Sequence, residues 1–195
     1  MEVKTLRLKT ILTGNFNVGK TSIIKRLCCN AFDKDMKPTI GGPDTSDVYT
    51  SNGTKIELVL WDTAGQEKYN CLFPLLYKNS SIVIIVYDPN DSQSFENVTY
   101  WVDSVHQYCD KNTVIVVVCN KIDLENQLIT KEMATLLCKQ YGDIPLMFCS
   151  ALSSDGVKEV FDFAVNKFYN TKGDKMFAQT NNTTKHHSNV SCGIF

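Results

Sequence analysis

A glycine-containing loop near the N-terminus joins a predicted strand to a predicted helix, which is the context that a phosphate-binding motif requires. Residues 14–21, GNFNVGKT, fit the pattern G-x-x-x-x-G-K-[ST]. Residues 6–12 alternate apolar and polar side chains like a half-buried strand, and residues 22–27 read as a helix. A loop of this kind directs backbone N–H groups at phosphate oxygens, and the helix N-terminus adds its dipole. The flanking elements favour a phosphate-binding loop over an ordinary turn.

Side chains from two segments are predicted to surround the phosphates. Lys20 would reach the β- and γ-phosphates of a nucleotide, and the Thr21 hydroxyl would ligate Mg²⁺. The later stretch DTAGQE places Asp62, a carboxylate that can face the metal, close to the flexible Gly65 and to Gln66, whose amide can orient water. This combination suits a protein that senses a terminal phosphate and then removes it.

The identity of the base is predicted by a motif that follows a buried strand. Residues 114–119 form a continuous apolar run, and Asn120, Lys121 and Asp123 come directly after it. An ionised aspartate only accepts hydrogen bonds, so Asp123 can accept from both N1–H and the N2 amine of guanine. Adenine offers no such pair of donors, and a site that leaves a desolvated carboxylate unpaired rejects it strongly. The motif therefore indicates GTP or GDP rather than ATP, and it opposes a metabolic P-loop kinase.

A further motif, CSAL, follows the short apolar strand at residues 145–148 and completes a resemblance to the Ras superfamily of small GTPases. The resemblance covers residues 5–170. In that family this turn offers a backbone N–H to guanine O6, here that of Ala151. The resemblance also implies that Phe32 packs against the base. Thr39, in the stretch PTIG, would ligate Mg²⁺ and contact the γ-phosphate.

The resemblance implies one nucleotide site, one metal site and a set of protein partners. The residues implied to contact GTP or GDP are Asn17, Val18, Gly19, Lys20, Thr21, Ser22, Phe32, Thr39, Gly65, Asn120, Lys121, Asp123, Ser150, Ala151 and Leu152. Those implied to hold Mg²⁺ are Thr21, Thr39 and Asp62, and those implied to act in hydrolysis are Gln66 and Lys20. The implied partners are an exchange factor, a GTPase-activating protein (GAP) that brings the missing transition-state arginine, a prenyl-binding chaperone and effectors.

Within the superfamily the chain is most similar to the Rab branch. The supporting segments are Trp61 and residues 72–77, 85–88 and 94–98. This similarity implies a switch in vesicle-mediated traffic, located in the cytoplasm and reversibly attached to the cytosolic face of intracellular membranes. The middle segment most resembles endosomal Rabs.

The order of predicted elements indicates an α/β fold. Strands and helices alternate after the first hairpin, which favours a mostly parallel sheet covered on both faces. Asn52 and Gly53 form a hairpin signal between residues 44–51 and 55–61, so that edge should be antiparallel. We expect a three-layer P-loop G domain with a six-stranded sheet, one antiparallel edge strand and helices on both faces.

The chain has 195 residues, enough for one domain, and we assign residues 1–170 to it. Residues 171–195 are polar, lack periodicity and are expected to be disordered. They end in C-a-a-X, which predicts geranylgeranylation of Cys192. The eight cysteines show no C-x-x-C and indicate reduced thiols of a cytosolic protein. A net charge of −1 gives no argument for nucleic-acid binding, and no apolar run reaches the length of a membrane span.

Two departures from the family pattern affect the predicted activity. Phe16 stands where relatives carry a small residue beside the γ-phosphate, and Asn17 also replaces a common glycine. A hydrolysis-poor, GTP-bound binding module is therefore a second reading. On the effector surface, Asp44 and Leu76 occupy two of the three positions where Rabs present aromatics, and only Trp61 matches.

Overall fold

A computed structural model describes residues 5–33, 42–44, 48–51, 54–63 and 73–173. Seven strands and six α-helices lie in this part of the chain. The strands are β1 (Thr5–Thr13), β2 (Gly42–Asp44), β3 (Val48–Ser51), β4 (Thr54–Asp62), β5 (Ile82–Tyr87), β6 (Val114–Cys119) and β7 (Leu146–Phe148). The helices are α1 (Lys20–Cys29), α2 (Phe73–Tyr77), α3 (Ser92–Glu96), α4 (Val98–Tyr108), α5 (Lys131–Gln140) and α6 (Val157–Phe168), and a short π-helical segment, Tyr169–Gly173, follows α6.

The sheet confirms the predicted α/β class. Its order is β2-β4-β1-β5-β6-β7, with β3 also paired to β4. The pairs β4–β1, β1–β5, β5–β6 and β6–β7 are parallel, whereas β2 and β3 run antiparallel to β4. Parallel strands present their carboxyl ends at one edge, so the loops after β1, β4, β6 and β7 all open on the same side.

Two hydrophobic layers cover the faces of the sheet, and β5 contributes to both. Ile84 belongs to the cluster built with α1 and α6, whereas the next residue, Ile85, belongs to the cluster built with α2, α4 and α5. Every residue of β5 is buried, as expected for a central parallel strand. Phe161 of α6 and Trp101 of α4 are 0% and 2% exposed, which anchors one helix on each face.

The antiparallel edge differs from the prediction of a single strand in a six-stranded sheet. Asp44 pairs with Leu60, and Val48 pairs with Glu57. These two pairs are four residues apart on the edge segment but only three residues apart on β4. The pairing register therefore shifts by one residue between β2 and β3, which is the offset that a β-bulge introduces. Among the residues that the structure describes, the sheet therefore has seven strands.

The hairpin register agrees with the predicted turn. Ser51 pairs with Thr54, which leaves two residues between the strands, although Asn52 and Gly53 themselves lie outside the described residues. The predicted tail also lies outside them, apart from residues 171–173. Within the described ranges, no helix combines the length and apolar character needed to cross a bilayer.

Candidate functional site

The phosphate loop, residues 14–21, turns sharply because two glycines adopt backbone conformations that other residues avoid. Gly14 has φ 134° and Gly19 has φ 95°. A Cβ on Gly14 would lie 2.1 Å from the carbonyl oxygen of Val86, and one on Gly19 would lie 2.3 Å from Nδ2 of Asn120. Neighbouring elements therefore approach the loop backbone where only glycine fits. Helix α1 begins directly after Gly19, and its N-terminal N–H groups belong to the loop.

Lys20 folds back over the loop that precedes it. Its ammonium Nζ donates to the carbonyl oxygens of Gly14, at 2.9 Å, and Asn15, at 2.6 Å, and the residue is 6% exposed. Burial lowers the pKa of Lys20 to about 8, while the charge of Asp62 acts in the opposite direction. Phosphate oxygens would favour the charged ammonium because they supply the anionic partners that burial in protein does not.

The predicted metal ligands Thr21 and Asp62 meet although they lie on different elements. Asp62 ends β4 and Thr21 lies in the first turn of α1, and the Thr21 hydroxyl donates to Asp62 Oδ2 at 2.5 Å. The Thr21 hydroxyl and the carboxylate of Asp62, a residue that is 6% exposed, are the hard oxygen ligands that Mg²⁺ prefers. The donor set fits Mg²⁺. The third predicted ligand, Thr39, lies outside the described residues.

Asn120 joins the phosphate loop to the loop after β7. Its Nδ2 donates to the Val18 carbonyl at 2.8 Å, and its Oδ1 accepts from the Ala151 N–H at 3.1 Å and from the Cys149 thiol at 3.6 Å. Asn120 is 1% exposed, so these contacts replace the water it loses. A guanine O6 at Ala151 would share that N–H with Asn120.

The base loop, residues 150–152, holds the predicted specificity carboxylate. The Ser150 hydroxyl donates to Asp123 Oδ1 and accepts from the Ser153 N–H at 3.1 Å. Lys121, with φ 63°, forms an ion pair with Asp88 Oδ2 at 2.7 Å. These contacts fix the Asp123 carboxylate against the base loop and the Lys121 side chain against Asp88.

Sequence reasoning missed a support of the phosphate loop that comes from α4 and from its N-cap residue, Asn97. Asn15 Oδ1 accepts from Trp101 Nε1, at 3.0 Å, and from Asn97 Nδ2, at 3.2 Å. The same residue's carbonyl receives the Lys20 ammonium. Asn97 and Trp101 are separated by four positions and so share one helical face. That spacing was the available signal, but nothing in it pointed to Asn15.

The remaining predicted site residues are placed as follows. Val18 is buried, Ser22 and Phe32 are half-buried, Asn17 is exposed with φ 62°, and Leu152 is 44% exposed. Phe32 packs against the cluster of α1 and α6. Phe16 is 53% exposed at the tip of the loop. The residues outside the described part of the chain are Thr39, Gly65, Gln66 and Cys192.

The chain is similar to a known protein family and to several known proteins. Residues 9–170 match the Ras family. The chain is 34% identical over 165 residues to the Ras-related protein Rab-18 of Caenorhabditis briggsae, covering 84% of this chain and 81% of that protein. It is 32% identical over 167 residues to the Ras-related protein SEC4 of Saccharomyces cerevisiae, covering 86% and 77%. A probable Rab-related GTPase of Acanthamoeba polyphaga mimivirus is 34% identical over 167 residues, covering 84% and 77%.

The family match spans the elements that carry the site, from β1 to α6. The Rab-named relatives are each aligned over more than three quarters of their own length. The chain therefore belongs to the Ras family and is a Rab-type small GTPase, an enzyme that binds GTP and hydrolyses it to GDP.

Proposed function

We propose that this GTPase is a switch in vesicle-mediated membrane traffic that acts from the cytoplasm at the cytosolic face of an internal membrane. Its similarity to proteins named Rab-18 and SEC4 supports the trafficking role. The observation that carries the chemistry is the contact set of Asn120, which joins the phosphate loop to the base loop beside Asp123. That arrangement would let one nucleotide bind through its base and its phosphates at the same time.

Hydrolysis would use residues from several loops. Lys20 would neutralise charge that develops on the phosphoryl oxygens, and Gln66 would orient the attacking water. Mg²⁺, held by Thr21, Thr39 and Asp62, would supply further charge neutralisation when bound. Loss of the γ-phosphate would release Thr39 and the Gly65 amide, so the surface that their loops offer to effectors would change. The roles of Thr39 and Gln66 are supported by the sequence alone.

The nucleotide that co-purifies with the protein tests this proposal directly. We expect GDP or GTP. After GTP loading, inorganic phosphate should be released slowly, because the two arginines in the described residues bond elsewhere: Arg7 to Glu57 and Arg26 to the base loop. Pull-downs with GTP-loaded and GDP-loaded protein should then recover different partners. Co-purification of an adenine nucleotide would contradict the proposal, and identical partners in both states would contradict the switch.

We further propose that a geranylgeranyl group on Cys192 provides the membrane attachment. One prenyl chain gives marginal and reversible binding, which suits a protein that cycles with a prenyl-binding chaperone. In eukaryotic cells, Cys192→Ser should move the protein from the membrane pellet to the supernatant. Cys29→Ser, at an exposed cysteine of α1, is the matched control and should leave the distribution unchanged. Equal pelleting of both variants would exclude Cys192 as the anchor.

A second candidate function is that of a GTP-bound module with little hydrolysis, and Phe16 favours it. The side chain is 53% exposed at the loop tip and is therefore not absorbed into the core. Its position follows Asn15, whose carbonyl contacts the Lys20 ammonium. A ring there would crowd Gln66 and any arginine brought by a GAP, and small misplacements in such sites lower rates about a hundredfold.

Phe16→Gly should therefore accelerate hydrolysis. We expect the single-turnover rate of GTP hydrolysis to rise about a hundredfold, because Gln66 gains the space to orient water. Phe163→Ala, which removes an exposed ring from α6, is the matched control and should leave the rate unchanged. Equal rates for the wild type and Phe16→Gly would exclude the hydrolysis-poor module.

A further inference from the structure

The guanidinium of Arg26 links the last turn of α1 to the base loop. Its Nε donates to the Ala151 carbonyl at 2.8 Å and its Nη2 donates to the Leu152 carbonyl at 2.9 Å. Its Nη1 donates to the Asn30 carbonyl at 3.0 Å and to Asn30 Oδ1 at 3.2 Å. Acceptors on all three nitrogens fix both the position and the plane of the group.

The base loop is also held on its other side. The Ala151 N–H donates to Asn120 Oδ1 at 3.1 Å, and the Ser150 N–H donates to the Asp155 carbonyl at 2.8 Å. Arg26 therefore holds the carbonyls of the loop, while Asn120 marks the direction in which the Ala151 N–H points. The base loop therefore lies between the Arg26 guanidinium and the buried amide of Asn120, and it is hydrogen-bonded to both.

Holding a carbonyl also orients the N–H of the same peptide unit. In a trans peptide the C=O and N–H point in opposite directions, so the contact of Arg26 with the Ala151 carbonyl turns the Leu152 N–H away from the guanidinium. A charged donor on that carbonyl also polarises the peptide and strengthens its N–H as a donor.

We propose that Arg26 is a positioning residue for base recognition: through the Ala151 carbonyl it presents the Leu152 N–H to the oxygen at C6 of guanine, next to the Ala151 N–H that Asn120 holds. This inference rests on the proposed binding of a guanine nucleotide at the base loop. Arg26 acts through the loop and does not touch the nucleotide. Two residues therefore act on different parts of guanine. Arg26 acts through the loop on the oxygen at C6, whereas Asp123 accepts from N1–H and the N2 amine.

A purely structural role would have a different signature. Arg26 lies near the C-terminus of α1, where a cation and the left-handed cap residue Asn30 (φ 50°) stabilise a helix end. If capping were its whole role, a substitution would lower the free energy of unfolding and weaken every nucleotide to the same degree. The positioning role instead predicts a loss confined to nucleotides with an oxygen at C6.

The test measures dissociation constants of GDP, IDP and 2,6-diaminopurine riboside diphosphate for the wild type, Arg26→Ala and Arg26→Lys. IDP keeps the C6 oxygen and N1–H without the N2 amine. The diaminopurine nucleotide keeps the N2 amine but has an amine at C6 and no N1–H, so each variant is compared with the wild type on the same nucleotide. We expect both variants to bind GDP and IDP about tenfold more weakly, because a charged hydrogen-bonding fork is lost, with the diaminopurine nucleotide little affected. Lysine keeps the charge but lacks the planar fork of donors that fixes the direction of both contacts.

Arg7→Ala is the matched control, since Arg7 is an exposed arginine paired with Glu57 on the sheet, and it should change none of the three constants. If Arg26→Ala does not fold, Arg26→Lys carries the comparison. Equal weakening of all three nucleotides, or no weakening, would overturn the positioning role. Failure of the wild type to prefer GDP over ADP would instead refute the proposed nucleotide specificity, so the two failures are distinguishable.

Discussion

Asp123→Asn is expected to weaken GDP binding about a thousandfold, because the guanine N1–H and N2 amine lose the acceptor that accounts for their recognition. The amide keeps one acceptor oxygen for the Ser150 hydroxyl, so the base loop should hold its shape. The NH₂ group of the new amide is itself a donor and cannot accept from the guanine N2 amine. That amine is therefore left without a partner. Xanthine, which carries an oxygen at C2, should regain the lost contact.

The measurement is a pair of titrations with GDP and XDP, together with thermal unfolding of the nucleotide-free variant. XDP should bind Asp123→Asn more tightly than GDP does, with the melting temperature close to that of the wild type. Asp143→Asn is the matched control, because Asp143 is exposed and its φ of 56° suits asparagine equally well. Unchanged GDP affinity in Asp123→Asn would mean that this carboxylate does not read the base.

Asn120→Ala should have the second large effect, on stability as well as on binding. The substitution leaves the Val18 carbonyl and the Ala151 N–H without the amide that each contacts in a 1% exposed position. Stranded buried groups cost about 1–3 kcal/mol each, so we expect the free energy of unfolding to fall by about 2–6 kcal/mol. GDP affinity should fall about a hundredfold, since the phosphate loop and the base loop lose their common support.

Denaturant unfolding of the nucleotide-free protein measures the first effect, because bound nucleotide would add its own stabilisation. A GDP titration of the folded fraction measures the second. Asn112→Ala, at an exposed asparagine before β6, is the matched control and should change neither quantity by much. A variant that lost stability but kept its GDP affinity would show that Asn120 is not the link between the two loops.

The elements that carry the site were predictable because their signals are local. Each of the three patterns predicts the backbone conformation of only a few consecutive residues. They are the alternation in residues 6–12, the apolar run at 114–119 and the glycines of the phosphate loop. The structure places them in β1, β6 and the β1–α1 loop. Parallel pairing then brings the loops after β1, β6 and β7 to one edge, so the neighbourhood of Lys20 and Asp123 follows from topology.

The contacts that fix those residues were not predictable. The bond from Asn120 to the Val18 carbonyl spans 102 positions, and that from Arg26 to Ala151 spans 125. Such pairs depend on how strand ends and helix termini are juxtaposed in three dimensions, and hydrophobic periodicity carries no information on that. The division of the edge into β2 and β3 was missed for a related reason. The register shifts by one residue between them, and neither composition nor periodicity predicts such a shift.

The central claim is that one site grips a polyphosphate and selects guanine, and competing nucleotides test it most directly. Calorimetric titrations of nucleotide-stripped wild-type protein with GDP and with ADP, both in Mg²⁺, would compare the two bases on the same phosphates. The account predicts that GDP binds at least about a thousandfold more tightly than ADP. Equal affinities, or no measurable binding of either nucleotide, would contradict it.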